Sequence, residues 1–213
     1  MPPNRNELEE IEAGFGRARL LDLPEVLEDE RLEQSVERLR GVRGLRPDEW
    51  RELHDPLARR YVLDRAGREL QGVYGSPRPP LLPVERIPEN HHGAYSDERW
   101  TMTVNERLLD SDDPAAALET YLHEYRHSYQ RLEVERLDSP IRPDNLESAM
   151  EWEANLRLEG YKGAPDDHLA ATDRVRYEEL FREYEEQPVE RDAREFAREI
   201  VERVYREKGG PAA

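Results

Sequence analysis

Apolar residues along this chain recur mostly at helical spacing. Between residues 7 and 40, charged residues alternate with Leu20, Leu21, Leu23, Val26, Leu27, Leu32, Val36 and Leu39, and Pro24 interrupts the run. Two or three short helices are predicted there. Pro47, followed by Asp48 and Glu49, suits the first turn of another helix. It should run to about Gly67, with Trp50, Leu53, Leu57, Tyr61 and Leu63 as its stripe. From 75 to 91 the prolines break any helix and leave short extended pieces around Leu81–Val84. A hairpin follows. Gly93-Ala94-Tyr95 leads into the turn Ser96-Asp97-Glu98, and Trp100–Asn105 then alternates. Trp100, Met102 and Val104 should face one side, and Thr101, Thr103 and Asn105 the other.

The next start signal is sharper. Asp113 is a cap and Pro114 a first helical residue, so a helix is predicted from 114 to about 136. Leu118, Tyr121, Leu122, Tyr125, Tyr129 and Leu132 form one apolar arc on it. His123 and His127 fall nearly opposite the centre of that arc, as expected of residues facing a cleft rather than a core. After the loop Ser139–Pro143, helices are predicted over about 145–160, 172–185 and from Pro188 to about 208. The last has the stripe Val189, Ala193, Phe196, Ala197, Ile200, Val201 and Val204, with Asp192, Glu195, Glu199 and Glu202 on its solvent side. The expected class is α+β and mostly helical, with a small, mainly antiparallel sheet.

Composition narrows the chemistry. The chain has 213 residues, 38% of them charged, with a net charge of -17. Mean hydropathy is -1.01. The acidic balance disfavours nucleic acid and anionic membranes as partners. With no cysteine, any metal must be held by His and carboxylate. No run approaches the roughly 20 apolar residues of a membrane span, and the first ten residues lack the pattern of a cleaved leader. The expectation is a cytoplasmic protein, or one exported without a cleaved signal peptide.

The candidate chemistry lies on the helix at 114–136. His123-Glu124-Tyr125-Arg126-His127 is an H-E-x-x-H motif. Residues four apart share a helix face, so both imidazoles can reach one zinc ion. Glu124 lies between them, placed to act as general base on a zinc-bound water. A catalytic zinc needs a third protein ligand. After His127 the only histidine is His168, so a carboxylate from a later helix is expected. In the arc Leu146, Ala149, Met150, Ala154, Leu156 and Tyr161, Glu153 lies inside and Glu151 outside. An i,i+4 pair with Arg157 is the simpler account of Glu153. Glu190 lies within the apolar stripe of the last helix, where a carboxylate is costly unless paired or metal-bound. Complementing the helix dipole would explain it equally well. His91 and His92 read as a solvated pair, His54 and His168 as surface residues, and none of the ten tyrosines stands out as an oxyanion partner.

His123–Gln130 resembles the active-site helix of zincin metallopeptidases of the glutamate-ligand (gluzincin) type. Tyr184–Ala193 is similar to a block of bacterial and phage zincin-like proteins, in which a tyrosine precedes Gln/Asn-Pro and E-x-[DE]-A at a helix start. Trp152 and Asn155 fall where such proteins carry a Trp and an Asn, and Trp100–Asn105 resembles their substrate-orienting edge strand. The resemblance covers roughly residues 75–205. It implies His123, His127 and Glu190 as zinc ligands, Glu124 as base, and hydrolysis of a protein or peptide substrate. An effector, toxin or phage-related role would suit it. The Glu-x-Glu-Ala-Asn block at Glu151 resembles the third-ligand block of other gluzincins and keeps Glu151 and Glu153 open. The expected organisation is a helical N-terminal segment over 1–70, a zincin-like metallopeptidase domain over 71–208, and a disordered tail over 209–213. A non-catalytic zincin-like binding or regulatory module is the alternative, and an acidic helical scaffold with an accidental motif is a third reading.

Overall fold

The computed structural model describes residues 17–75, 79, 81, 91–158 and 160–206. The helical pattern before residue 17, the extended pieces at 82–84 and the tail at 209–213 lie outside them. The described chain is mostly helical with one antiparallel hairpin, as its periodicities predict. Helix α1 spans Arg17–Arg40, α2 Pro47–Arg51 and α3 Pro56–Tyr74. Strands β1 (Gly93–Ser96) and β2 (Thr101–Val104) form the hairpin. Then come α4 (Glu106–Asp110), α5 (Pro114–Arg136) and α6 (Leu146–Glu153), the last continued by a π-turn over Ala154–Leu158. Helices α7 (Asp167–Thr172), α8 (Arg174–Glu185) and α9 (Pro188–Tyr205) complete the order.

Several boundaries differ from the sequence pattern for identifiable reasons. Pro24 does not break α1, which runs through it; a proline removes one backbone bond and need not end a helix. The single helix expected from Pro47 is two, because Asp55 caps a second start at Pro56 and accepts from the Leu57 N–H. The phase of α3 shifts accordingly. Val62, Leu63, Ala66, Leu70 and Tyr74 are buried, whereas Leu57 and Tyr61 are 52% and 70% exposed. Asp173 caps α8 and separates it from α7. On α6 the buried side chains are Ala149 and Trp152, with Asn155 buried in the π-turn beyond. Leu146 and Met150, expected inward, are exposed.

Helix α5 is the centre of the fold. Its start is as expected, with Asp113 accepting from the Ala115 N–H and Pro114 in the first turn. Its main neighbour is α9, and it also contacts both strands, α3, α4 and α6. It is therefore buried on most sides rather than along one arc: Glu124, Arg126, Ser128, Gln130 and Glu133 are buried along with the expected tyrosines and leucines. One continuous apolar cluster runs from Leu32 to Val201, so α1–α3 share a core with the motif helix. Two polar ties secure this: Trp50 Nε1 donates to the Ser111 carbonyl at 2.8 Å, and the Tyr205 hydroxyl to the Leu45 carbonyl at 3.0 Å.

The hairpin packs on α5 through both strands, β1 more than β2. Tyr95 pairs with Met102 and Ala94 with Thr103, and Leu81 bridges Met102 in parallel on the other side. Strand β2 is thus flanked on both sides, and among the described residues the edge toward the motif helix belongs to β1, not to Trp100–Asn105 as the resemblance implied. Trp100 is not in the strand; it closes the turn with a φ of 50°. The expected alternation fails as well, since Met102, Thr103, Val104 and Asn105 are all buried.

Candidate metal centre

The i,i+4 spacing on α5 brings the Nε2 atoms of His123 and His127 to 3.0 Å from each other. The third group comes from the first turn of α9. Glu190 Oε2 lies 3.2 Å from His123 Nε2, and Oε1 lies 3.4 Å from His127 Nε2. Glu190 is 1% exposed, and its Oε2 is buried without a hydrogen bond. These separations match the edge of a coordination tetrahedron, about 3.3 Å for bonds of about 2.0–2.1 Å. The three side chains could therefore hold a metal ion, which would satisfy the orphaned oxygen and relieve the crowding of two imidazole nitrogens. Two imidazoles and one carboxylate form a donor set suited to a borderline divalent cation.

The polar surroundings explain how Glu190 is held. Gln187, just before Pro188, accepts from the Lys162 N–H at 2.8 Å and donates to the Lys162 carbonyl at 2.8 Å and the Tyr184 carbonyl at 3.1 Å. Asn155 donates to Gln187 at 3.3 Å and accepts from the Val189 N–H at 3.4 Å. The Gln-Pro-x-Glu block thus clamps the start of α9 to the loop after α6. That loop carries Tyr161, whose hydroxyl donates to Glu190 Oε1 at 2.5 Å.

Charge is distributed accordingly. Burial pushes the Glu190 carboxyl up, but the adjacent His123 and His127 imidazoles outweigh it and hold it well below the usual carboxylate range. Burial alone would pull the His127 imidazole down; Glu190 overrides it and lifts His127 to about 9. Glu124 is raised by burial, an effect that His123 and His127 partly offset, and it accepts from the Tyr95 N–H. Burial and then the Glu190 charge raise Tyr161, and burial likewise dominates for Tyr184, so both hydroxyls stay protonated donors at neutral pH.

These groups line a cleft of about 480 Å³ between β1 and the α6–α7 loop. Its floor includes His123, Glu124, His127 and Glu190, and one side carries Leu156, Ala164, Tyr161 and Tyr184. A second hollow of about 310 Å³, between α1 and α9, holds Arg and Glu side chains and lies away from the histidines.

Of the sequence candidates, His123, His127, Glu190 and Glu124 come together. Glu153 instead pairs with Arg157 at 3.0 Å, and Glu151 is exposed beside Arg191 at 3.3 Å, so neither belongs to this cluster. His91 lines the cleft, whereas His54, His92 and His168 are exposed. Asp192 differs from its expected place. Far from lying on the solvent side, it accepts from Arg126 at 2.8 and 3.0 Å and from Gln130 at 2.6 Å. Angular counting missed this because those partners lie more than 60 residues away in sequence. Sequence reasoning missed Tyr161, while Tyr184 and Gln130 entered only as members of the blocks that resemble zincins, with no role of their own. For Gln130 the helical spacing held a further signal, a polar residue three after His127 and so on a neighbouring face. Comparison with protein-family models, curated proteins and solved structures returns no match for this chain.

Proposed function

We propose that this chain is a zinc-dependent metallopeptidase that hydrolyses peptide bonds of a protein substrate. The observation that carries the reading is the convergence of His123, His127 and Glu190 beside a buried Glu124 at the floor of an open cleft. Zinc held by these three groups would polarise a scissile carbonyl and acidify a water. Glu124 takes the proton of the attacking water and returns it to the leaving amine. Its burial raises its basicity, which suits that role, and the Tyr95 N–H fixes the carboxylate against the strand.

Strand β1 supplies the rest. The Asn105 N–H donates to the His92 carbonyl, so with the observed register Gly93 and Tyr95 turn their backbone polar groups away from β2. Gly93 and Tyr95 line the cleft, where an extended peptide could pair with the Gly93 groups and the Tyr95 carbonyl. A binding module would not require Glu124 in this position. The test is metal analysis and peptide hydrolysis on the reconstituted full chain. About one zinc per chain is expected; Glu190→Ala should lose it, and Glu124→Gln should keep it while losing hydrolysis by orders of magnitude. Absence of zinc would overturn the metal centre, and full activity in Glu124→Gln would overturn the mechanism. Zinc without hydrolysis in the wild type would favour the binding module. No described helix is long and apolar enough to cross a membrane.

A further inference from the structure

We propose that Gln130 is a positioning residue for His127, fixing which imidazole nitrogen faces the metal, and that Asp192 and Arg126 hold Gln130 in place. The inference rests on reading the His123, His127 and Glu190 cluster as a metal centre. Gln130 is 1% exposed, so its amide must be satisfied inside the protein. Its Nε2 faces the Val189 carbonyl at 2.9 Å and Asp192 Oδ2 at 2.6 Å. A carbonyl can only accept, and so can a carboxylate. The two amide hydrogens must point at these two groups, because the flipped amide would set oxygen against both of them. The orientation is therefore fixed by chemistry, leaving Oε1 facing His127 Nδ1 at 2.9 Å. That nitrogen must be the N–H donor. In the neutral imidazole that binds a metal, the lone pair of Nε2 then points toward His123 and Glu190.

The same chain of contacts keeps Gln130 from turning. Asp192 receives a bidentate pair from Arg126 Nε at 2.8 Å and Nη2 at 3.0 Å. The Arg126 guanidinium lies over the rings of Phe196, Tyr129 and Trp152 at 4.7, 5.0 and 5.4 Å. Its Nη1 donates to Glu28 on α1 at 2.9 Å. Arg126 and Asp192 come from the two helices that supply the metal-binding residues. Asp192 stands one residue beyond Arg191 on the turn of Glu190, so one turn of α9 offers a ligand on one side and the support for another ligand on the other. A tie that only joined α5 to α9 would be complete with the Val189 and Asp192 contacts. It would not need an acceptor aimed at His127.

The test uses the full chain with Gln130→Met, which keeps length and bulk while removing the acceptor. Zinc affinity is read by competition with a chromophoric chelator, and the metal-free fold by circular dichroism and Tm. The expected result is zinc affinity about 10–100-fold weaker with the metal-free fold retained. Asp192→Asn should move affinity in the same direction by less. Affinity within about threefold of wild type in a folded Gln130→Met variant would overturn the proposal while leaving the metal centre standing. A wild-type protein that binds no zinc would instead overturn the metal reading beneath it. Should Gln130→Met fail to fold, imidazole nitrogen NMR of zinc-loaded wild type decides. Coordination of His127 through Nε2 with Nδ1 protonated is expected, and coordination through Nδ1 would refute the proposal.

Discussion

Replacing Gly93 with alanine places a methyl group where β1 touches the motif helix. A Cβ there would lie 2.6 Å from Thr120 Cγ2, 2.9 Å from Glu124 Oε1 and 3.0 Å from the Thr103 carbonyl oxygen. Ordinary carbon contacts fall at about 3.5–4.0 Å, so the overlap with Thr120 is about 1 Å. Of these three neighbours, Thr120 and the Thr103 oxygen do not move easily. Thr120 is buried on a helix and branched at Cβ, and the Thr103 oxygen belongs to the paired strand. The hairpin must therefore back away from α5, at an overpacking cost of about 1–3 kcal/mol. For a chain of this size that lowers Tm by roughly 2–12 °C. The same shift pulls the Tyr95 N–H off Glu124, so hydrolysis should fall further than stability alone explains. Thermal unfolding of Gly93→Ala, Thr120→Ala and the double variant reads the contact directly. The pair should be non-additive, the double variant recovering part of the loss because Thr120→Ala removes Cγ2. A Gly93→Ala protein with wild-type Tm and full hydrolysis would refute the close approach of strand and helix.

Asp192→Ala, expected from the helical pattern to be tolerated, should cost about 2–3 kcal/mol in denaturant unfolding. That is below the 3–5 of a fully buried pair, because Arg126 keeps Glu28 and Asp192 is partly exposed. Trp50→Ala should cost about 3–5 kcal/mol, since Trp50 is fully buried and ties α2 to the segment before α5. Glu153→Ala and Glu151→Ala should leave zinc stoichiometry unchanged, whereas Glu190→Ala should abolish it. Zinc affinity should rise roughly tenfold per pH unit until about pH 9, because the ion displaces one proton from His127, lifted to about 9 beside Glu190. In the metal-free protein the same raised imidazole contributes stability that is complete below its ordinary 6.5 and is lost as pH climbs through about 9. Affinity that does not vary between pH 6 and 8.5 would sink the assigned proton.

How much of this could be read from the chain depended on how local each signal was. Asp113-Pro114 fixed the start of α5 because a cap and a first-turn proline act within one turn. The stripe of α9 was legible for the same kind of reason, and it placed Glu190 among apolar residues without any knowledge of its partners. Asp55-Pro56 carried the same information at the start of α3, and an over-long helix obscured it. The edge strand was not legible. Whether β1 or β2 is outermost depends on Leu81 reaching Met102 across an intervening proline-rich segment. Tyr161 was equally hidden, since its hydroxyl meets Glu190 only because Gln187 clamps the backbone of Lys162.

The polar residues of α5 show why one helical arc was too simple a picture. Glu124, Arg126, Gln130 and Glu133 carry charged or amide side chains, yet all four are buried. Each removes charge or hydrogen-bonding capacity from water, which is unfavourable unless partners arrive from elsewhere. They do arrive: Tyr95 for Glu124, Asp192 and Glu28 for Arg126, Val189 and Asp192 for Gln130, and the Asp144 N–H for Glu133. An apolar helix would bury the same face with fewer conditions to meet. What the polar set adds is direction, because hydrogen bonds constrain orientation where apolar contacts tolerate rotation. Three of the four residues lie within three positions of a histidine of the motif. The unusual polarity of the buried helix is therefore concentrated where side-chain orientation matters most, around the two imidazoles and the carboxylate that meet them.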